Sequence, residues 1–139
     1  MNDVFNAEPE EESIDSNNLR NCFKFICNHY NVQLSDSLIP PRTETPAYIV
    51  RLAKRLGFES SIVKRELAKI TEIALPLIII TKNNGALVLK AIIGADEFEV
   101  IGAVGPDKIK RLTRQHLESI YTGFCIEFIK KYSFDKRAL

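Results

Sequence analysis

The chain has 139 residues, 45% hydrophobic and 27% charged, the balance of one globular domain able to bury a core without staples. Its 19 basic and 18 acidic residues leave a formal net charge of +1, which gives no general reason to invoke nucleic acid or an anionic lipid surface. No apolar run reaches the roughly 20 residues of a membrane-spanning helix, so no direct membrane insertion is expected, and the acidic start MNDVFNAEPEEES is not a secretory signal.

Residues 1–15 carry Asn, Asp, Glu and Pro with few apolar side chains and read as a flexible leader. Ser16 or Asn17 can cap a first helix whose apolar stripe is Leu19, Cys22, Phe23, Ile26, Cys27 and Tyr30. Pro40-Pro41 blocks regular structure after it. Thr45-Pro46 pairs a capping residue with proline at the first helical position. The second helix buries Ile49, Leu52, Ala53 and Leu56, ends at Gly57 and turns Arg51, Lys54 and Arg55 to solvent. Phe58 to Val63 reads as a short strand and Arg65 to Ile70 as a single helical turn.

Leu75 to Ile93 is the strongest signal in the chain. Two runs rich in Ile, Leu and Val flank Asn83-Asn84-Gly85, the pattern of a tight hairpin. Both arms are nearly continuous in apolar residues, so each should be covered on both faces, by the earlier helices and by the one that follows. Gly94-Ala95-Asp96 is another turn, and Phe98 to Ile101 adds a third strand. Gly102 to Arg111 reads as loop, with a short strand near Lys108 to Leu112. Thr113 caps a helix on Leu117, Ile120 and Tyr121 that stops at Gly123, and Phe124 to Lys131 closes the fold with Phe124, Ile126 and Phe128 on one face. Helices collect early and strands late, which defines an α+β class with an antiparallel sheet.

Chemistry is sparse. The six glycines stand singly, without a phosphate-cradling loop. His29 and His116 lack ligand neighbours, and the plainer reading of each is a surface or half-buried histidine. The three cysteines show neither metal spacing nor an even disulfide framework, which fits a reducing compartment. Cys22 and Cys27 lie on an apolar stripe, so structural burial is expected. Cys125 can alternate outward on its strand, but nothing around it suggests activation. No cofactor and no metal is expected.

The order Asn18-Leu19-Arg20-Asn21-Cys22-Phe23, Tyr30-Asn31, Thr45-Pro46, Ala53-Lys54-Arg55-Leu56-Gly57-Phe58, Leu75-Pro76, Gly85 to Leu89 and Tyr121-Thr122-Gly123 resembles the bacteriocin-processing peptidase-like domain of ABC exporters. The resemblance covers residues 16 to 139 and is nearest to type I secretion ATPases that export repeat-in-toxin proteins and adhesins. It implies a papain-like cysteine peptidase fold over 16–131, with N-terminal helices packed on a C-terminal antiparallel β-sheet. It also implies that 132–139 is a linker toward a transmembrane domain. Active members carry Asp-Cys-Gly-x-x-Cys, a later His-Phe-Val-Val-Leu, and an Asp-Pro after the next strand. Cys22 matches the second, structural cysteine. The nucleophile slot is then Asn18, the histidine slot Ala86, and the aspartate slot falls within 102–105, with Asp107 close by but preceded by proline.

An amide in place of a thiolate and a methyl in place of an imidazole imply a domain that is not a peptidase. The resemblance suggests instead recruitment of an unfolded secreted substrate beside the exporter's own membrane and nucleotide-binding domains, on the cytoplasmic face of the inner membrane. Candidate contacts are Tyr48, Phe58, Tyr121 and Phe124, with Lys108, Lys110, Arg111 and Arg114 as a basic run for acidic repeats. The plainer reading of Phe124 is core, and of the basic run a solvated loop. Two alternatives stand beside recruitment: a domain that docks on and gates its own transporter, and a residual enzyme with unconventional residues.

Overall fold

Ser16–His29 forms the first helix, α1. Its spacing of apolar residues buries Leu19, Cys22, Phe23, Ile26 and Cys27 along one stripe. The structure, a computed structural model, describes residues 16–41, 43–82, 85–102 and 108–131. The expected leader, the Asn83-Asn84 turn, Asp107 and the linker 132–139 lie outside the described residues. Pro46–Arg55 forms α2. Thr45 Oγ1 accepts the Tyr48 N–H at 3.1 Å and Pro46 fills the first turn, as the sequence predicts. Gly57, at φ +99°, turns the chain out of the helix.

The remaining elements are β1 (Phe58–Lys64), β2 (Leu77–Thr81), β3 (Gly85–Ile93), β4 (Glu97–Ile101), β5 (Ile109–Thr113), α3 (Arg114–Ile120) and β6 (Tyr121–Lys130). All strand pairs are antiparallel, in the order β1-β6-β2-β3-β4-β5. The last strand inserts between the first two, so the β2–β3 hairpin has neighbours on both sides. Every residue of β2 except Ile80 is buried, and so are Gly85 to Leu89 of β3. From Lys90 onward β3 is no longer covered on both faces.

Alternation along β2 and β3 feeds two cores. Ile78, Ala86 and Val88 join Ile101, Ile126, Phe128 and Phe58 beneath α1 and α2. Leu77, Ile79, Leu87 and Leu89 point the other way, against Leu67 and Ile70, Leu112 of β5 and Leu117 of α3. The expected covers on both sides are present, because the strand period of two sends successive apolar residues to opposite faces.

Several boundaries move. The first helix already contains Ser16 and Asn17, so neither is its cap residue. The second strand starts at Leu77, two residues later than the sequence predicts, because Glu72–Ala74 makes a 3-10 turn and Pro76 cannot donate to a ladder. Tyr121 opens β6 rather than closing α3, and Gly123, at φ +97°, lies inside the strand. There the β2–β6 register shifts between Ile79 and Thr81, an irregularity that glycine's conformational freedom accommodates.

Candidate functional site

The N-terminal turn of α1 lies over the sheet where β3 begins and β4 ends. Asn18 is only 7% exposed, and its Nδ2 donates a hydrogen bond to the carbonyl of Ala86, 68 positions away. Ala86 is buried and pairs with Ile80 across the hairpin. Gly102, at φ +108° just past β4, completes the junction. A Cβ there would meet Asn18 Oδ1 at 3.4 Å and Leu87 Cδ2 at 3.6 Å. The positions that the resemblance assigns to nucleophile and histidine are therefore in contact, and the first residue of the stretch assigned to aspartate abuts them. Positions 103–105 lie outside the described residues.

None of Asn18, Ala86 and Gly102 carries a titratable group. Cys22, one turn further along α1, is wholly buried, and burial pushes its thiol far above the ordinary value of 9.0. Burial likewise pushes Cys27 up to about 12. Such thiols are held neutral, the opposite of an activated nucleophile. Cys125 is buried too, so the expectation that it alternates outward is corrected. It faces the second core beside Tyr121, and desolvation raises its pKa, partly offset by hydrogen bonding to Tyr121. His29 and His116 are exposed, and among the described residues no group of His, Cys, Asp and Glu is arranged to hold a metal.

The aromatic candidates separate. Phe58 is 1% exposed and stands at the centre of a ring cluster with Phe23, Tyr30 and Phe128, at centroid distances of 6.5, 5.5 and 5.7 Å. Its expected groove position is corrected: the first residue of β1 points under α1 and α2, where no bound chain can reach it. Tyr121 is 8% exposed and donates its hydroxyl to the Arg65 carbonyl at 2.6 Å, a core contact rather than a half-wet one. Tyr48 is half-buried, with its hydroxyl bonded to the Leu38 carbonyl at 2.5 Å and the Arg51 guanidinium 5.9 Å above its ring.

Phe124 moves the other way. Expected in the core, it is 43% exposed, because the helices end before they cover the start of β6. Ile62 is exposed to the same extent. The register pairs Lys64 with Phe124, Ile62 with Ile126, Ile78 with Ile126 and Ile80 with Ala86. Ile62, Phe124 and half-buried Ile80 therefore share the face that carries α1 and lead across the sheet toward Ala86 and Asn18. The sequence shows a period of two at Ile62 and Ile80 but not where the helical cover stops. Lys108 and Arg111 are exposed, and Arg111 faces Glu97 and Glu99 at 3.9 Å each.

The chain belongs to the peptidase C39 family, whose model matches residues 15–133, and its fold is the α+β, papain-like one of that family. It is homologous to the peptidase C39-like domains of ABC transporters. Among solved structures it is similar to the N-terminal peptidase C39 like domain of the toxin secretion ATP-binding protein from Vibrio parahaemolyticus. The two share 26% identity with a TM-score of 0.70, covering 82% of this chain and 97% of that one. The peptidase domain of Streptococcus ComA, a bi-functional ABC transporter involved in quorum sensing, shares 21% identity with a TM-score of 0.67, over 79% of this chain and 88% of that one. A double glycine motif protease from an AMS/PCAT transporter, solved with its leader peptide, shares 18% identity with a TM-score of 0.66, over 78% and 81%. No curated protein matches the chain.

Proposed function

We propose that this chain is a non-catalytic N-terminal domain of a type I secretion ABC exporter, standing on the cytoplasmic side and recruiting an unfolded repeat-in-toxin or adhesin-type substrate. One observation supports the reading: the Asn18 carboxamide is hydrogen-bonded to the Ala86 carbonyl, and the resemblance matches these two positions to the nucleophile and histidine of an active peptidase. A carboxamide does not ionise to a nucleophile and a methyl group takes no proton, so the two positions touch without being able to exchange one. Similarity to a domain of a toxin secretion ATP-binding protein supports the export context.

The surface best suited to an extended chain is the apolar run Ile62, Phe124 and Ile80, with half-buried Tyr48 on α2 as a further contact; Lys108 and Arg111 stand at the opposite end of the sheet, by β5, and are not part of that run. Apolar anchors on a sheet face beside free backbone are a known way of gripping peptides. The chain in this role meets two partners, the secreted polypeptide and the transporter's own membrane and nucleotide-binding domains. Incubation with a substrate bearing a double-glycine leader is expected to give no cleavage; cleavage that disappears in Asn18→Ala would overturn the non-catalytic reading. A titration followed by NMR, using the C-terminal region of the co-encoded secreted protein, tests recruitment. Shifts around Phe124 and Ile62 with the calcium-free, unfolded form alone are expected. Absence of shifts with both forms would favour the docking and gating role.

A further inference from the structure

The sheet ends on two strands of different charge. β5 carries Lys110 and Arg111 with no carboxylate, so a second copy laid against its edge meets like charge. At the other end β1 carries Glu59 and Lys64, and Arg65 follows it. We infer that β1 is a self-pairing edge: two copies of this chain join antiparallel through it, about a two-fold axis at Ile62.

The first ground is open backbone. Lys131 donates to the Gly57 carbonyl and Arg65 to that of Gly123, so the bonded pairs of the β1–β6 ladder fall on odd-numbered residues of β1. The N–H and C=O groups of Phe58, Ser60, Ile62 and Lys64 therefore point outward. Among the described residues they have no backbone partner.

The second ground is the order of charges along the strand. In an antiparallel pair of copies the two-fold axis stands perpendicular to the sheet. Opposed residues then share a face, so both carry even or both odd numbers. Centring the pair on Ile62 sets Glu59 of each copy opposite Arg65 of the other, with Ser60 opposite Lys64 and Ser61 opposite Val63. Moving the centre one residue either way loses the match: on Ser61, Glu59 meets Val63, and on Val63, Arg65 meets Ser61. Glu59 is exposed, and Arg65 gives its Nε to Glu127 at 2.8 Å, which leaves the Nη groups to reach across.

The third ground is apolar surface at that point. Ile62 is exposed although it lies on the face that carries the helices, while Phe58 and Ser60 on the same face are buried. The helical cover thus stops where the axis falls, and pairing sets the two Ile62 side chains side by side. Because both copies keep the same face up, it also joins their runs of Ile62, Phe124 and Ile80 into one band across the axis. The pairing does not rest on the recruitment reading, which needs only one copy.

A single-strand edge makes a small interface of the weak, reversible class. Sedimentation equilibrium of the chain at about 10 μM to 1 mM, loadings that span micromolar to millimolar affinities, is expected to show monomer passing to dimer. Ile62→Lys, which opposes two ammonium groups at the axis, should raise the dissociation constant about tenfold or more with an unchanged far-UV circular dichroism spectrum. Glu59→Arg and Arg65→Glu should each weaken self-association. Mixed together they should associate as well as wild type, since each supplies the charge that the other lacks, a rescue that damaged folding does not give. Ile62→Cys should form a disulfide between copies on mild oxidation, because opposed Cα atoms of a bonded pair lie about 5.5 Å apart. The native cysteines are buried, and Ile109→Cys, exposed on β5, should not cross-link. A chain that stays monomeric throughout, or a dimer that Ile62→Lys leaves intact, would overturn the proposal. So would cross-linking through Ile109 rather than Ile62, or a mixture of the two folded charge variants no tighter than either alone.

Discussion

At Asn18 the fold has turned a carboxamide into a clasp. Its bond to the Ala86 carbonyl joins α1 to the head of β3 in a place closed to water. Asn18→Ala is expected to cost about 1–3 kcal/mol, the penalty for leaving a buried acceptor short of a partner. The readout is a lower urea midpoint with an unchanged slope. Gly102→Ala should destabilise by about 1 kcal/mol or more, since alanine is strained at φ +108°, although its methyl would meet Asn18 Oδ1 only at ordinary contact distance. The thiols give a pH test. Burial raises Cys27 from 9.0 to about 12 and Cys22 further. In the unfolded chain these thiols ionise near their ordinary value, while the folded protein keeps their protons. Their contribution to stability is complete below about pH 9 and is lost as pH rises toward 12. Stability followed from pH 8 to 11 should fall, and Cys27→Ser should flatten part of the slope. That Asn18 and Ala86 are neighbours was legible because the resemblance matches both to one site, and such a match needs no distances. The burial of Tyr121 was not, because its partner, the Arg65 carbonyl, lies 56 positions away and carries no signal in the local sequence.

Elements with local rules are the ones a sequence reveals. Thr45-Pro46 and Thr113 mark helix starts because a hydroxyl three residues before a free N–H satisfies it whatever the rest of the chain does. The hairpin arms are equally plain from their apolar runs. Single 3-10 turns such as Glu72–Ala74 are too short to show a period. The insertion of β6 between β1 and β2 is a long-range choice, and it decides which side chains are covered. Phe58 and Phe124 illustrate this: both are aromatic residues near strand ends on the same face, yet one is enclosed and the other half open. Phe58→Ala should therefore cost about 3–5 kcal/mol, the range for emptying a packed aromatic site. Phe124→Ala should cost less than about 1 kcal/mol while weakening capture of an unfolded substrate. Paired urea unfolding and titration curves separate the two effects. Equal stability losses would mean that Phe124 is as enclosed as Phe58.

One sheet holds two cores that lean on the same strands. Along β2, Ile78 packs beneath α1 and α2 while Leu77 and Ile79 pack toward α3, so neither layer can leave without baring a strand that the other still needs. That coupling predicts a single cooperative transition, as expected of a domain this size. Ile49→Ala, under the first layer, and Leu117→Ala, under the second, each remove a fully buried side chain and should cost about 2–5 kcal/mol. Both should lower one common midpoint, seen identically by far-UV circular dichroism and by tyrosine fluorescence. Leu117→Ala decides the matter, because α3, with seven residues, is the shortest of the three α-helices described. If its loss produced an early transition in tyrosine signal while helical signal persisted, the second layer would be a separable lid. A shared midpoint would establish that the sheet transmits packing from one face to the other. A substrate bound at Phe124 would then stabilise both faces by mass action alone.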